Sequence, residues 1–214
     1  MGRLTHEVCA SSDEVIARVL ALVNAVPEGG NVAVTGGRMG QRINSTIVAD
    51  AGRRLNLWFS DERFLPSADS DRNDFALHTT ATVSINSAQG SDQAATAAQS
   101  ALEYQGRVLA AVAEHGLALA VLSVGDDGHV ASLFPGSPVC KDTHAGVVAV
   151  VDSPKPPPER VTWTLPLINR AEHVVVMAVG SEKAEIAARV LAGDMTLPAA
   201  LVQGRVRSTL FSCP

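Results

Sequence analysis

The chain of 214 residues carries 22 acidic and 17 basic side chains, a formal net charge of −5, with 46% apolar and 18% charged residues. That balance suits one α/β domain with a buried core, spanning 1–214, and argues against a general nucleic-acid binder, whose footprint would be basic. Three cysteines (Cys9, Cys140, Cys213) are far apart and form no CxxC pair, which speaks against a disulfide framework or a zinc site and for a reducing compartment.

The predicted elements begin with a helix. Ser11 and Glu14 have capping-box spacing, and Val15, Ile16, Val19, Leu20, Val23 and Val26 follow with helical periodicity until Pro27-Glu28-Gly29-Gly30 stops them. Residues 31–35 (NVAVT) read as a short buried strand running into Gly36-Gly37, and 41–53 as a second helix with Ile43, Ile47, Val48 and Ala51 inward. The next strand is Leu55–Phe59 (LNLWF), ending in Ser60-Asp61-Glu62-Arg63, and 66–74 is a polar loop. An alanine-rich helix is expected over 92–114. Residues 117–124 (LALAVLSV) form the clearest central strand, because a nearly unbroken apolar run is what a parallel strand buried on both faces needs. Further strands are expected at 147–151, 161–165 and His173–Val179, then a capped helix over 181–193.

The alternation predicts a doubly wound, mostly parallel sheet with helices on both faces. In such folds ligands bind beyond the carboxyl ends of the strands. Three polar motifs lie at those ends. In Thr35-Gly36-Gly37-Arg38-Met39-Gly40, glycines between strand and helix let backbone N–H groups face a phosphate, to which Arg38 adds a charge-assisted hydrogen bond; the alternative is a plain tight turn. Arg63 is placed to fork a phosphate or carboxylate, and Asp61 to orient it or accept sugar hydroxyls; the alternative is a structural ion pair. In Gly125-Asp126-Asp127-Gly128-His129, imidazole has the one unperturbed side-chain pKa near neutrality, so His129 reads as a general base with Asp127 fixing its tautomer. The other histidines (6, 78, 115, 144 and 173) have no comparable setting.

Two more segments offer cations. Ser153-Pro154-Lys155-Pro156-Pro157-Pro158-Glu159-Arg160 is either a rigid connector or a stiff mount for Lys155 and Arg160. Lys183, in the first turn of a helix, sits where a cation opposes the helix dipole, so it is either an exposed lysine or the partner of an anion. The N-terminal residues have no apolar run after a basic start, and no stretch reaches membrane-span length, so a cytoplasmic protein without a membrane partner is expected.

Together these residues resemble the 6-phosphogluconolactonase family, related to the glucosamine-6-phosphate deaminases and isomerases. The likeness is carried by Gly36-Gly37, Asp61-Glu62-Arg63, Asn73, DGHVASLFPG at 127–136, SPKPPPERVTWTLP at 153–166 and GSEKA at 180–184. The resemblance implies a Rossmann-like fold and hydrolysis of 6-phospho-D-glucono-1,5-lactone to 6-phosphogluconate, in the oxidative pentose phosphate pathway. It implies His129 and Asp127 as catalytic residues, and Gly36, Gly37, Arg38, Asp61, Arg63, Asn73, Lys155, Arg160 and Lys183 as the pool that binds phosphate and hydroxyls. It implies no organic cofactor and no required metal, a small phosphorylated lactone as partner, and a monomer or small homo-oligomer. The family pattern at the glycine turn reads Ser-Gly-Gly-Ser-Thr-Pro, so Arg38-Met39-Gly40 is a departure, as is Val130 for threonine. Two other readings use the same motifs: a sugar-phosphate isomerase or deaminase with Asp61 as proton shuttle, and a non-catalytic sugar-phosphate sensor.

Overall fold

The structure is a computed structural model that describes residues 4–50 and 52–214. The strands are β1 (Thr5–Val8), β2 (Gly30–Val34), β3 (Leu55–Phe59), β4 (Asp61–Arg63), β5 (Val83–Asn86), β6 (Leu119–Ser123), β7 (Val147–Val150), β8 (Arg160–Trp163), β9 (His173–Val179) and β10 (Arg207–Cys213). The helices are α1 (Ser12–Asn24), α2 (Gly37–Asp50), α3 (Ala97–His115), α4 (Leu165–Ile168), α5 (Ala184–Leu191) and α6 (Pro198–Leu201). Seven strands form one parallel sheet in the order β1-β10-β9-β6-β2-β3-β5.

Alternation along the central strands divides the core. Val32, Val34, Leu119, Val121, Val175 and Met177 face α1 and α2, whose Val15, Val19, Ile43 and Ile47 close that side. Ala33, Ala120, Leu122, Val174 and Val176 face the other way, onto Tyr104 and Val108 of α3 and Ile186 and Val190 of α5. A strand covered on both faces has no polar side to show, which is why β2 and β6 read as continuous apolar runs. Truncating one of these side chains, such as the fully buried Leu122, costs about 2–5 kcal/mol.

The expected strands at 147–151 and 161–165 exist but do not join the large sheet. As β7 and β8 they pair antiparallel with each other and with β4 in a separate three-stranded sheet packed on α3. The second helix starts at Gly37, four residues before the expected 41, because the glycine turn itself opens it: Gly37 has φ +72°, and a Cβ on Gly40 would lie 2.2 Å from the Thr35 carbonyl oxygen. Ala51, expected inward on that helix, lies outside the described residues. The alanine-rich helix starts at Ala97, where the Thr96 hydroxyl accepts from the Gln99 N–H, whereas Asp92 accepts from Ser67 in a turn. Lys183 belongs to a 3₁₀ turn, Ser181–Lys183, that precedes α5. β1, β4, β5 and β10 had no counterpart among the expected strands. No helix among the described residues is long and apolar enough to cross a membrane.

Candidate active site

Chain order reverses between β2 and β6: from there the strands run outward to β3 and β5 on one side and to β9 and β10 on the other. A crevice forms at such a switch point, where loops leave adjacent strands in opposite directions. Here the loops after β2, β3, β6 and β9 enclose a cleft of about 270 Å³. Its walls include Gly36, Gly37, Arg38, Asp61, Arg63, Asn73, His129, Lys155, Arg160 and Lys183, so nearly all the sequence-predicted residues converge there. Asp127 stands behind His129 rather than in the wall.

His129 Nδ1 is 2.5 Å from Asp127 Oδ1, and the same oxygen accepts the His129 backbone N–H at 3.2 Å. The ring rests against Phe134, with centroids 4.7 Å apart. Two glycines make room. A Cβ on Gly125 would lie 2.0 Å from His129 Nδ1, and Gly128, at φ +87°, carries the turn beneath Leu197. Burial pushes the imidazole below the usual histidine pKa, outweighing the Asp127 carboxylate that raises it. Burial also opposes ionisation of Asp127, yet its hydrogen bond to His129 holds the carboxyl below the usual aspartate value. The pair is therefore a neutral imidazole donating Nδ1–H to a carboxylate, with Nε2 as the basic nitrogen.

The cations differ in their commitments. Arg160 is buried and donates through Nε to Pro157 O (3.1 Å) and through Nη2 to Lys155 O (3.1 Å) and Pro156 O (2.9 Å), so it ties down the proline segment while its Nη1 lies 4.0 Å from Asp61 Oδ2. Lys155 reaches back to the Asp126 carboxylate and lies 4.0 Å from Asp127 Oδ2. Arg63 donates through Nη1 to the Asp71 carbonyl, and its buried Nε has no partner among the described residues, a donor waiting for an acceptor. Arg38 is exposed on the first turn of α2, at the positive end of the helix dipole, and Lys183 lies half-buried on the wall that follows β9.

The Asp61 carboxylate lines the cleft, and its Oδ2 accepts from the buried Ser132 hydroxyl at 2.7 Å. Asn73 donates from Nδ2 to the Asp61 carbonyl at 2.9 Å. Sequence reasoning did not single out Ser132, Asp126 or Glu182, although all three lie within the quoted motifs; Glu182 joins the wall, its carboxylate folded over Gly180. Asp126, Asp127 and His129 present ligand atoms within 4.8 Å of one another. In this arrangement the Asp127 Oδ1 is engaged by His129 Nδ1 and the Asp126 carboxylate by Lys155.

Known proteins resemble the chain in sequence and in fold. The 6-phosphogluconolactonase of Streptomyces coelicolor is 37% identical over 83% of this chain and 77% of its own length. That of Mycobacterium tuberculosis is 34% identical over 95% of this chain and 90% of its own. The crystal structure of 6-phosphogluconolactonase from Thermotoga maritima superposes with a TM-score of 0.81 at 21% identity, covering 99% of this chain and 100% of that one, which establishes the fold. Residues 4–211 match the family described as glucosamine-6-phosphate isomerases/6-phosphogluconolactonase, and the chain belongs to it as a lactone-hydrolysing enzyme.

Proposed function

We propose that this chain hydrolyses 6-phospho-D-glucono-1,5-lactone to 6-phosphogluconate, the lactone-opening step of the oxidative pentose phosphate pathway, with His129 as general base. The observation that carries the reading is the 2.5 Å contact between His129, in the wall of a cleft rich in cations, and Asp127 behind it. Nε2 takes a proton from water as the water oxygen bonds to the lactone carbonyl carbon. The tetrahedral oxyanion then collapses, the bond from that carbon to the ring oxygen breaks, and the imidazolium returns its proton to the departing oxygen. Asp127 holds the ring in the productive tautomer and stabilises the imidazolium between the two steps. No group from outside the chain is needed for the proton balance.

The phosphate belongs with the glycine turn at Gly36-Gly37, the first turn of α2 with Arg38, and the unpartnered Arg63 Nε, because these supply N–H donors and positive charge together. Lys155, Arg160, Lys183, Asp61 and Asn73 are left for the sugar hydroxyls and for closing the remaining walls. A coupled assay with freshly generated lactone tests the reading. Wild type should exceed spontaneous hydrolysis, and His129→Ala should fall by about 10²–10⁴-fold while still binding product. Wild-type turnover in that variant would sink the role of His129.

A further inference from the structure

The carboxyl group of Glu62 lies outside the cleft, and the proposed reaction does not use it. It is 1% exposed, on β4. Oε1 accepts the backbone N–H of Arg63 at 2.8 Å and of Asn73 at 2.7 Å, and Oε2 accepts that of Asp74 at 3.1 Å. The Arg72 guanidinium stands 3.8 Å away. One buried side chain thus gathers a loop that would otherwise be a polar surface excursion. The loop has its own ties, since Arg72 forks the Asp74 carboxylate at 2.8 and 2.9 Å and donates to Ala88 O at 2.8 Å. Among the described residues, however, it is Glu62 that accepts the backbone N–H of Asn73.

Asn73 is where this matters. A Cβ on Gly36 would lie 1.9 Å from Asn73 Oδ1 and 2.1 Å from its Cγ, so the Asn73 amide fills the space that glycine leaves open. Its Nδ2 is anchored on the Asp61 carbonyl. The amide therefore wedges between the turn that opens α2 and the first residue of β4.

We propose that Glu62 is a positioning residue for the anion-binding half of the cleft: it fixes the Asn73 backbone, so that the Asn73 amide braces Gly36 and holds the glycine turn and the start of α2 in register for a phosphate group. The choice of phosphate as the anion rests on the function proposed above; the bracing itself is a matter of geometry. Glu62→Gln keeps the volume but replaces one carboxyl oxygen, which can accept a backbone N–H whether or not the group is protonated, with an NH₂ that can only donate.

The test uses inorganic phosphate as probe, with affinity read from the phosphate dependence of Tm, alongside KM and kcat on the lactone. Glu62→Gln and Asn73→Ala should each weaken phosphate binding and raise KM by about tenfold, with kcat changed much less. The double variant should be no worse than the weaker-binding single one, because residues acting through one another are not additive. A residue that only supports the fold would lower Tm without shifting phosphate affinity. Wild-type affinity in Glu62→Gln, multiplicative losses in the double variant, or no phosphate protection of the wild-type chain would each overturn the proposal. Should Glu62→Gln fail to fold, Asn73→Ala carries the decision: undiminished phosphate binding there means that the brace serves nothing. A chain that binds phosphate in this way but leaves the lactone intact would defeat the proposed function and not this inference.

Discussion

His129 Nδ1 and Asp127 Oδ1 sit 2.5 Å apart, on residues separated by one glycine, and that contact decides which ring nitrogen is basic. Burial has lowered the imidazole pKa below its ordinary 6.5, so the free base persists into mildly acidic solution. The acid limb of the rate should therefore lie at lower pH than an ordinary histidine would give. Asp127→Asn removes the carboxylate that raises the histidine pKa, so the acid limb should move to still lower pH while the plateau drops by about 10²-fold or more, through loss of tautomer control. A pH–kcat profile of both proteins checks this; an acid limb that moves upward in the variant would contradict the assignment.

Gly125 cannot take a side chain without displacing the His129 ring. A Cβ there would lie 2.0 Å from His129 Nδ1, 2.1 Å from its Cε1 and 2.8 Å from Asp127 Oδ1. Gly125→Ala should push the ring aside and cost about 10²-fold in kcat, the usual result of an ångström of misplacement, with Tm far less affected. Gly106 is the contrast. It is exposed within α3, and a Cβ there would meet nothing within 4 Å. Gly106→Ala should stabilise the protein by about 0.5–1 kcal/mol and leave kcat alone. Thermal melts beside kinetics on the two variants separate the cases.

The strands that carry the cleft were legible because burial on both faces writes itself as an apolar run, as in Ala120-Val121-Leu122 of β6 and Val174-Val175-Val176 of β9. β1 was not, since as an edge strand its Thr5, His6 and Val8 are exposed and carry no such run. β10 hides for another reason. Its Ser208 and Thr209 are buried, but Ser208 Oγ accepts the Gly204 N–H and Thr209 Oγ1 bonds His173 Nε2, so polar residues occupy core positions at little cost. Nothing in the pattern of Arg160–Trp163 says which sheet it joins, because pairing partners are non-local. Within the site, residue types and their motif positions pointed to His129, Asp127 and the cations. They could not reveal that Arg160 is spent largely on three carbonyls of the proline segment, nor that Asp61 is held by Ser132.

Tyr104 ties α3 to the ends of β3 and β5. Its hydroxyl lies 2.9 Å from Phe59 O and 3.0 Å from Asn86 O, sharing one proton between the ends of β3 and β5. Burial pushes its pKa well above the usual tyrosine value, so it remains a donor across the working range. Tyr104→Phe keeps the ring against Trp58 and strands the carbonyls, which should cost about 1–2 kcal/mol. For a chain of this size that is a fall in Tm of roughly 2–8 °C. The kcat should be unchanged, because the hydroxyl does not reach the cleft. A Tm equal to wild type would mean that the two carbonyls find other donors.

Glu62 also makes a prediction about stability against pH. Burial, helped by the neighbouring Asp74 carboxylate, pushes its pKa from 4.5 up to about 8, against the opposing pull of Arg72 and the backbone N–H groups of Asn73 and Arg63. Arg160 of β8 and Tyr104 of α3 also lie within its field. Between those two pH values the folded chain holds a proton on Glu62 that the unfolded chain has released. Folding is then linked to proton uptake, and this group's contribution to stability falls as pH rises from 4.5 to about 8. Glu62→Gln cannot titrate, so it should remove that part of the slope: the variant loses most relative to wild type near pH 5 and least above pH 8. Urea unfolding of both proteins across this range measures the difference. A gap that stays constant from pH 5 to above pH 8 would mean that the N–H donors and Arg72 outweigh burial and keep Glu62 ionised throughout.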